Sequence, residues 1–207
     1  MGNTTIYLTR HGQTEWNVEK KLQGHKDSPL TELGIIHAQW LAASLGHIGF
    51  DAIYASSSGR TLKTAEILRG ARSITIIPDD DLREIHMGSW EGEVNANIEE
   101  SCPEQFHDFW NNPHQYKPSN GGESFHELHN RVIPKIQRII KENEGKTIFI
   151  VTHAATLKLI MTFFNGQPLA ELWNPPIVHS TALCKVIVDG ENRTVELYGD
   201  TSHYKGL

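Results

Sequence analysis

The chain has 207 residues, 38% of them hydrophobic and 21% charged, which suits one domain with a sizeable core and the composition of a soluble globular protein. A formal net charge of -6 excludes a broad nucleic-acid-binding face but allows a small positive pocket, and the two cysteines, Cys102 and Cys184, lie outside any C-x-x-C pattern, which excludes a disulfide framework or a zinc ribbon. No apolar run is long enough to cross a bilayer, and the N-terminus lacks the basic and apolar segments of a secretory signal, so no membrane partner and a cytoplasmic location are expected.

The β-branched and apolar run Thr4–Leu8 predicts a strand that delivers Arg10 and His11 to its C-terminal end, where Gly12 lets the backbone turn sharply. Open α/β sheets bind ligands at that end of their strands. Neutral imidazole is a nitrogen nucleophile, guanidinium is the best side-chain partner for phosphate, and Asn17 adds an uncharged donor. The chemistry indicated is attack of His11 on phosphorus; taken alone, the Arg-His-Gly run reads equally well as a simple strand end.

Thr31 is the expected N-cap of a helix reaching about Leu45, with Leu33, Ile36, Trp40, Leu41 and Leu45 on one face and Gly46 as its stop. A strand at Ala52–Ala55 then leads through a serine-rich turn into a helix from about Gly59, which puts Arg60 in a first turn. Helix N-termini attract anions through free N–H groups and the macrodipole, so Arg60 there brackets a phosphate together with Arg10. A further strand is expected at Ser73–Ile77, followed by an acidic run, Asp79 to Asp81, that reads as a solvated loop.

Between Ile85 and Glu123 the periodicity fails, with Gly88, Gly92, Pro103, Pro113, Pro118, Gly121 and Gly122 as breakers and Trp90, Phe106, Phe109, Trp110 and Tyr116 as bulk. This stretch is expected to be an inserted cap over the sheet edge; the competing reading is a flap whose aromatics simply pack on the core. Ser124 is the expected N-cap of a helix to about Asn143, carrying Phe125, Leu128, Val132, Ile136, Ile139 and Ile140 at helical spacing, with Pro134 expected to kink or divide it.

The run Ile148–Thr152 reads as a buried strand ending at His153, and an apolar helix follows through Phe164. Residues Ala182–Val188 and Thr194–Tyr198 form an expected terminal hairpin. Strands alternating with helices predict an α/β fold, a mostly parallel central sheet flanked by helices, in one domain over 1–207 with the insertion at about 85–123. Gly145-Lys146-Thr147 imitates the end of a phosphate-binding loop, but a strand follows where a helix is needed, and His126 with His129 lacks further ligands at metal spacing, so no metal is expected.

Arg10-His11-Gly12-x-Thr14-x-x-Asn17, then Arg60, Glu84 and His153, occur in an order that resembles the histidine phosphatase superfamily, also called the phosphoglycerate mutase-like family, over roughly Ile6 to Ala155. The resemblance implies a covalent phosphohistidine at His11 and no cofactor. It implies a phosphate site made by Arg10, Asn17, Gln23, Arg60, a protonated His153 and the backbone at Ala154, and a small phosphorylated metabolite as partner. Glu84, which precedes Gly88-x-Trp90-Glu91-Gly92 as the family's acidic residue precedes its own such motif, is the implied proton donor, worth about 10²–10⁴-fold when a basic alkoxide leaves; Glu91 is the weaker alternative.

Two departures from the family pattern bear on the pocket. Gly59 replaces a bulkier apolar residue, and Ala154-Ala155 replaces a Gly-Gly pair, so added methyls are expected to crowd the backbone amides near phosphate. A phosphatase is the leading expectation. The alternatives are a cofactor-dependent phosphoglycerate mutase, an α-ribazole phosphate phosphatase, and a non-catalytic binder of phospho-ligands.

Overall fold

The computed structural model describes residues 2–205. In chain order the elements are β1 (Thr4–Arg10), α1 (Glu15–Val18), α2 (Glu32–Ser44), β2 (Ala52–Ser56), α3 (Gly59–Arg69), β3 (Ile76–Asp79), α4 (Asn95–Ser101), α5 (Pro103–Asn111), α6 (Phe125–Glu142), β4 (Thr147–Thr152), α7 (Ala154–Phe164), β5 (Leu183–Asp189) and β6 (Asn192–Asp200). The six strands form one sheet in the order β3-β2-β4-β1-β5-β6. Four run parallel, and β5 and β6 add an antiparallel edge beside β1. This is the mixed α/β architecture that the alternation of strands and helices predicts.

Helices on both faces explain why β4 is apolar almost throughout, since a strand covered twice has no solvent side. On one face Ile6, Leu8, Ile148 and Ile150 pack with Leu128, Ile136 and Ile139 of α6 and Leu157 and Ile160 of α7. On the other, Tyr7, Phe149, Val151 and Ile53 pack with Leu41 of α2 and Leu68 of α3. Each such fully buried Ile or Leu contributes roughly 1.5–3 kcal/mol, and together they lock the register that brings the ends of β1, β2 and β4 side by side.

The structure departs from the sequence expectation in four places. The buried side of α2 is Gly34, Ala38 and Leu41, followed by Leu45 at its end, while Leu33, Ile36 and Trp40 are only half-buried. Close backbone contact selects that stripe: a Cβ on Gly34 would lie 2.2 Å from Gln13 O, and one on Gly12 would lie 2.7 Å from Gly34 O. The turn after β1 is thereby pressed against α2, backbone to backbone.

Strand β3 begins at Ile76, because its partner β2 supplies pairing only from Ile53 opposite Ile76 onward. Pro78 is tolerated there as an edge-strand residue. Helix α6 runs unbroken through Pro134, which lies on its exposed face, so the carbonyl freed by the missing N–H meets water. The stretch after Ile85 holds the two helices α4 and α5, hidden from periodicity by their shortness and by the residues that bracket them. Its aromatics divide: Trp90, Phe109 and Tyr116 are buried and cluster with Phe125, while Trp110 is half-buried.

Candidate active site

The carboxyl ends of β1, β2 and β4 meet at one end of a cavity of ≈ 500 Å³, whose wall includes Arg10, His11, Asn17, Gln23, Arg60, Glu84 and Ala154. His153 lies directly behind this wall, fully buried, with its ring 5.3 Å from that of His11. All the residues expected from the sequence are therefore gathered in one place.

His11 is buried, and its Nδ1 sits 2.8 Å from its neighbour's carbonyl, Gly12 O. A carbonyl only accepts, so Nδ1 carries the ring's proton and Nε2 keeps its lone pair. Burial, and then the nearby Arg60 and Arg10 guanidiniums, hold the His11 pKa well below the usual imidazole range. The loop is fixed from behind as well, because Gly12 N–H donates to Thr64 Oγ1 of α3 at 3.0 Å. The result is a neutral imidazole with a defined tautomer.

Arg10 and Arg60 are not equivalent. Arg10 NH1 donates to Val178 O at 3.2 Å, whereas its Nε is buried without a partner. Arg60 is only 2% exposed and has four of its five N–H groups engaged. NH1 donates to Lys26 O and Asp27 Oδ1, both at 2.8 Å, and NH2 donates to Gly24 O at 2.8 Å and to His153 Nδ1 at 3.0 Å. Its one remaining donor, Nε, is buried and unpaired. The expectation that Arg60 brackets a phosphate together with Arg10 is thus narrowed: its fork is turned to the protein, and a single N–H remains.

His153 needs a second correction. A guanidinium only donates, so the Arg60 contact requires His153 Nδ1 to be unprotonated, and the proton then lies on Nε2, 2.7 Å from Ser56 Oγ. Burial, followed by the charges of Arg60, His11 and Arg10, keeps the His153 pKa well below the usual range. The ring is neutral, and both nitrogens are occupied in bracing Arg60 and the end of β2.

Glu84 caps the start of α7. Its Oε1 accepts from Ile85 N–H, Thr156 N–H and Thr156 Oγ1 at 3.0–3.1 Å, and its Oε2 accepts from Ala155 N–H at 3.0 Å. A carboxylate at a helix N-terminus is favoured by the macrodipole and by these otherwise free donors. Oε2 has one partner against three on Oε1, so more of its hydrogen-bonding capacity is left over. The amides of Ala155 and Thr156 thus serve Glu84, while Ala154 and Ala155 both border the cavity, Ala155 almost fully buried.

Glu91 stands elsewhere. Its carboxylate accepts from the backbone N–H groups of His25, Lys26 and Met87 at 2.7–3.1 Å. It therefore shapes the loop whose Gly24 and Lys26 carbonyls hold Arg60. Gly24, at φ +53, has no room for a Cβ, which would lie 2.2 Å from Glu91 Oε1.

Asn17 and Gln23 reach the wall through Thr14. Thr14 Oγ1 accepts from Asn17 N–H at 3.2 Å while Asn17 Oδ1 accepts from Thr14 N–H at 3.1 Å, a reciprocal cap for α1 that leaves the Asn17 amide nitrogen as its donor. Gln23 Nε2 donates to the same Thr14 hydroxyl at 2.6 Å, so part of its hydrogen-bonding capacity is held inside the protein.

The far end of the cavity is apolar, lined by Phe109, Trp110, Trp173, Ile177 and Val178. Trp173 packs tilted against Trp110, their ring centroids 4.8 Å apart, and donates Nε1–H to Phe109 O at 2.7 Å, tying a late loop to α5. Lys158 of α7 also lines the cavity and donates to Asn174 O and Pro176 O, which anchors that same loop; burial lowers its pKa. Trp173, Lys158 and Asp27 escaped the sequence reading; Thr14 was read only as a motif position, although its Thr-x-x-Asn spacing carries a signal for the cap it makes. Among the described residues, no group of three His, Cys, Asp or Glu side chains is placed to hold a metal ion, and no helix is long and apolar enough to cross a membrane.

Comparison with known proteins supplies the remaining observations. The family model for the histidine phosphatase superfamily (branch 1) matches residues 6–201. Phosphoglycerate mutase-like protein 4 of Arabidopsis thaliana is 31% identical over 200 residues, covering 96% of this chain and 86% of its own. Phosphoserine phosphatase 1 of Hydrogenobacter thermophilus is 31% identical over 169 residues, covering 82% and 80%. Among solved structures, YhfR of Bacillus stearothermophilus shares 46% identity with a TM-score of 0.93, covering 97% of this chain and 98% of its own.

Proposed function

Because the chain belongs to the histidine phosphatase superfamily, we propose that it is a metal-independent phosphomonoester hydrolase working through a phosphohistidine at His11. The observation that carries this reading is the pair of buried guanidinium Nε donors without partners, on Arg10 and Arg60, beside a neutral imidazole whose Nε2 lone pair is free. Buried donors without acceptors are costly, and a phosphoryl group supplies the acceptors they lack.

In the first step His11 Nε2 bonds to phosphorus while the ester P–O bond breaks, and the departing oxygen takes the proton from Glu84 Oε2. The imidazole turns cationic as it is phosphorylated, and Gly12 O, still accepting from Nδ1–H, stabilises that charge. In the second step water attacks phosphorus, gives a proton to Glu84, and releases phosphate and neutral His11. Arg10, Arg60 and the Asn17 amide offset the charge on the transferring oxygens, the part that positioning and electrostatics play in phosphoryl transfer. His153 acts through Arg60.

The apolar far end suits a leaving group with a carbon-rich or planar frame, while Lys20, Lys21 and Lys158 on the same cavity wall keep an acidic leaving group and mutase chemistry as the second reading. The names of the relatives put phosphoserine and phosphoglycerate beside α-ribazole phosphate and simple aryl phosphates in the panel to be tried. The decisive experiment is rapid-quench labelling with p-nitrophenyl phosphate in excess EDTA. An acid-labile, base-stable phosphoenzyme is expected in the wild type and absent in a folded His11→Ala variant. Undiminished labelling in that variant would sink the nucleophile, and labelling that needed added Mg²⁺ would sink the guanidinium account.

A further inference from the structure

Asp27 lies in a polar loop, its side chain 38% exposed, yet both of its carboxylate oxygens reach Arg60, whose side chain is 1% exposed. Oδ1 accepts from Arg60 NH1 at 2.8 Å, and Oδ2 accepts from the Arg60 backbone N–H at 3.2 Å, a donor in the first turn of α3. One acid therefore caps the helix and grips the guanidinium that the helix carries. The residue before Arg60 makes this possible: a Cβ on Gly59 would stand 2.5 Å from Asp27 Oδ2, closer than real Cβ contacts, and its neighbours within 4 Å both belong to Asp27. Gly59 has no left-handed backbone to explain it, since its φ is not positive.

We infer that Asp27 is a positioning residue for phosphoryl transfer, that Gly59 is its seat, and that the pair turns the fork of Arg60 away from the cavity so that Nε–H alone faces the phosphoryl group. The inference rests on the reading of Arg60 as a phosphate donor. Four anchors hold the guanidinium, and Asp27 is the charged one. With Asp27 lost, NH1 keeps only Lys26 O, and the planar group can tilt about its uncharged contacts to Lys26 O, Gly24 O and His153 Nδ1, which moves Nε away from the reacting oxygens. Small misplacements of this kind slow a reaction without removing the group that does the work.

The geometry makes an unusual demand on a double mutant. Gly59→Ala in the wild type forces the carboxylate out of its seat, so it mimics loss of Asp27. In an Asp27→Ala background the same methyl meets nothing, and alanine suits a helix start at least as well as glycine. Single-turnover phosphorylation of His11 by saturating p-nitrophenyl phosphate is the readout, with the thermal midpoint of each variant measured alongside. Each single variant is expected to label between about tenfold and about 100-fold more slowly, and the double variant to label no more slowly than Asp27→Ala alone. Asp27→Asn, which keeps an acceptor for NH1, is expected to recover part of the rate. Wild-type speed in Gly59→Ala, or a loss on adding Gly59→Ala that is as large without Asp27 as with it, overturns the inference. So does a fall in thermal midpoint with no change in the saturated rate. Because wild-type labelling is the reference, failure of the phosphohistidine reading itself is seen separately.

Discussion

At the end of the cavity proposed to take the phosphoryl group the supporting residues are closely bonded: Glu84 accepts four hydrogen bonds, Arg60 donates four, and both nitrogens of His153 are occupied, which leaves Nε of Arg10 and of Arg60 without partners. At the other end the wall is Phe109, Trp110, Trp173, Ile177 and Val178, held by ring contacts, by the Trp173 hydrogen bond to Phe109 O, and by Lys158 and Arg10 donating to carbonyls of the late loop. The first end sits on strand termini locked by the central sheet, the second on short helices and a loop. Directional bonds in a buried setting tolerate little displacement, whereas apolar contact is proportional to area and indifferent to detail. On the function proposed above, one end is thus built to do a single reaction, and the other to admit leaving groups that differ.

The sharpest way to break this comparison is to ask whether Glu84 serves chemistry or merely closes the wall. An alkyl phosphate expels a strongly basic alkoxide that needs a proton, while p-nitrophenolate leaves readily without one. In Glu84→Gln, phosphorylation of His11 by the alkyl ester should fall by about 10²-fold or more, roughly 3 kcal/mol of barrier, and by much less with the aryl ester. Single-turnover formation of the phosphoenzyme is the measurement, since slow hydrolysis of the intermediate can mask steady-state rates. Equal losses with the two esters would remove the proton donor from Glu84.

The phosphoryl end also carries a pH signature that the apolar end lacks. His11 and His153 are buried and held neutral, with folded pKa values well below the unfolded imidazole value of about 6.5. Below that value the unfolded chain binds protons that the folded protein refuses. Stability from these groups is therefore complete above about pH 6.5 and is lost as pH falls toward the folded pKa values, by up to about 1.4 kcal/mol per pH unit for each imidazole. His25, His37 and His203 shift in the same direction, so the wild-type slope alone does not isolate the site. His11→Asn should reduce the slope of unfolding free energy between pH 6.5 and 5.5 by up to that amount. An unchanged slope would mean that His11 titrates alike in both states.

The same contrast explains what could be read from the sequence. Arg10, His11, Arg60, Glu84 and His153 were legible because strand ends and helix starts announce themselves in periodicity and turn residues, and because the chemistry restricts the residue types there. The central sheet was legible for a related reason: continuous apolar runs such as Ile148–Val151 have few alternatives. Asp27 was not, because an acid in a polar loop looks solvated until Arg60 is placed beside it. The neutral state of His153 depends on which atom of Arg60 faces it, a matter of geometry that no spacing encodes. The buried side of α2 was misread because Gly34 is chosen by contact with the backbone of Gln13, not by hydrophobicity. Trp173 reaches the cavity from a loop far along the chain, where nothing local distinguishes a wall residue from any other packed tryptophan.

The smallest expected effect tests the tolerance of the apolar end. Trp110 is half-buried, flanked by Phe109 at 4.9 Å and Trp173 at 4.8 Å, and its ring faces the cavity without touching the phosphoryl cradle through any hydrogen bond. In Trp110→Ala a planar leaving group loses the apolar surface it covers there, on the order of 60 Å², which at about 25 cal/mol per Å² is roughly 1.5 kcal/mol or about tenfold in kcat/KM. A small alkyl phosphate, too short to reach that wall, should lose nothing beyond about twofold, and the rate of His11 phosphorylation at saturation should be unchanged for both. The ratio of kcat/KM for p-nitrophenyl phosphate to that for methyl phosphate is the quantity to follow, because it cancels any change in the amount of folded enzyme. If the ratio holds while both values drop together, the aromatic wall supports the cradle instead of the leaving group, and the two ends are one rigid unit.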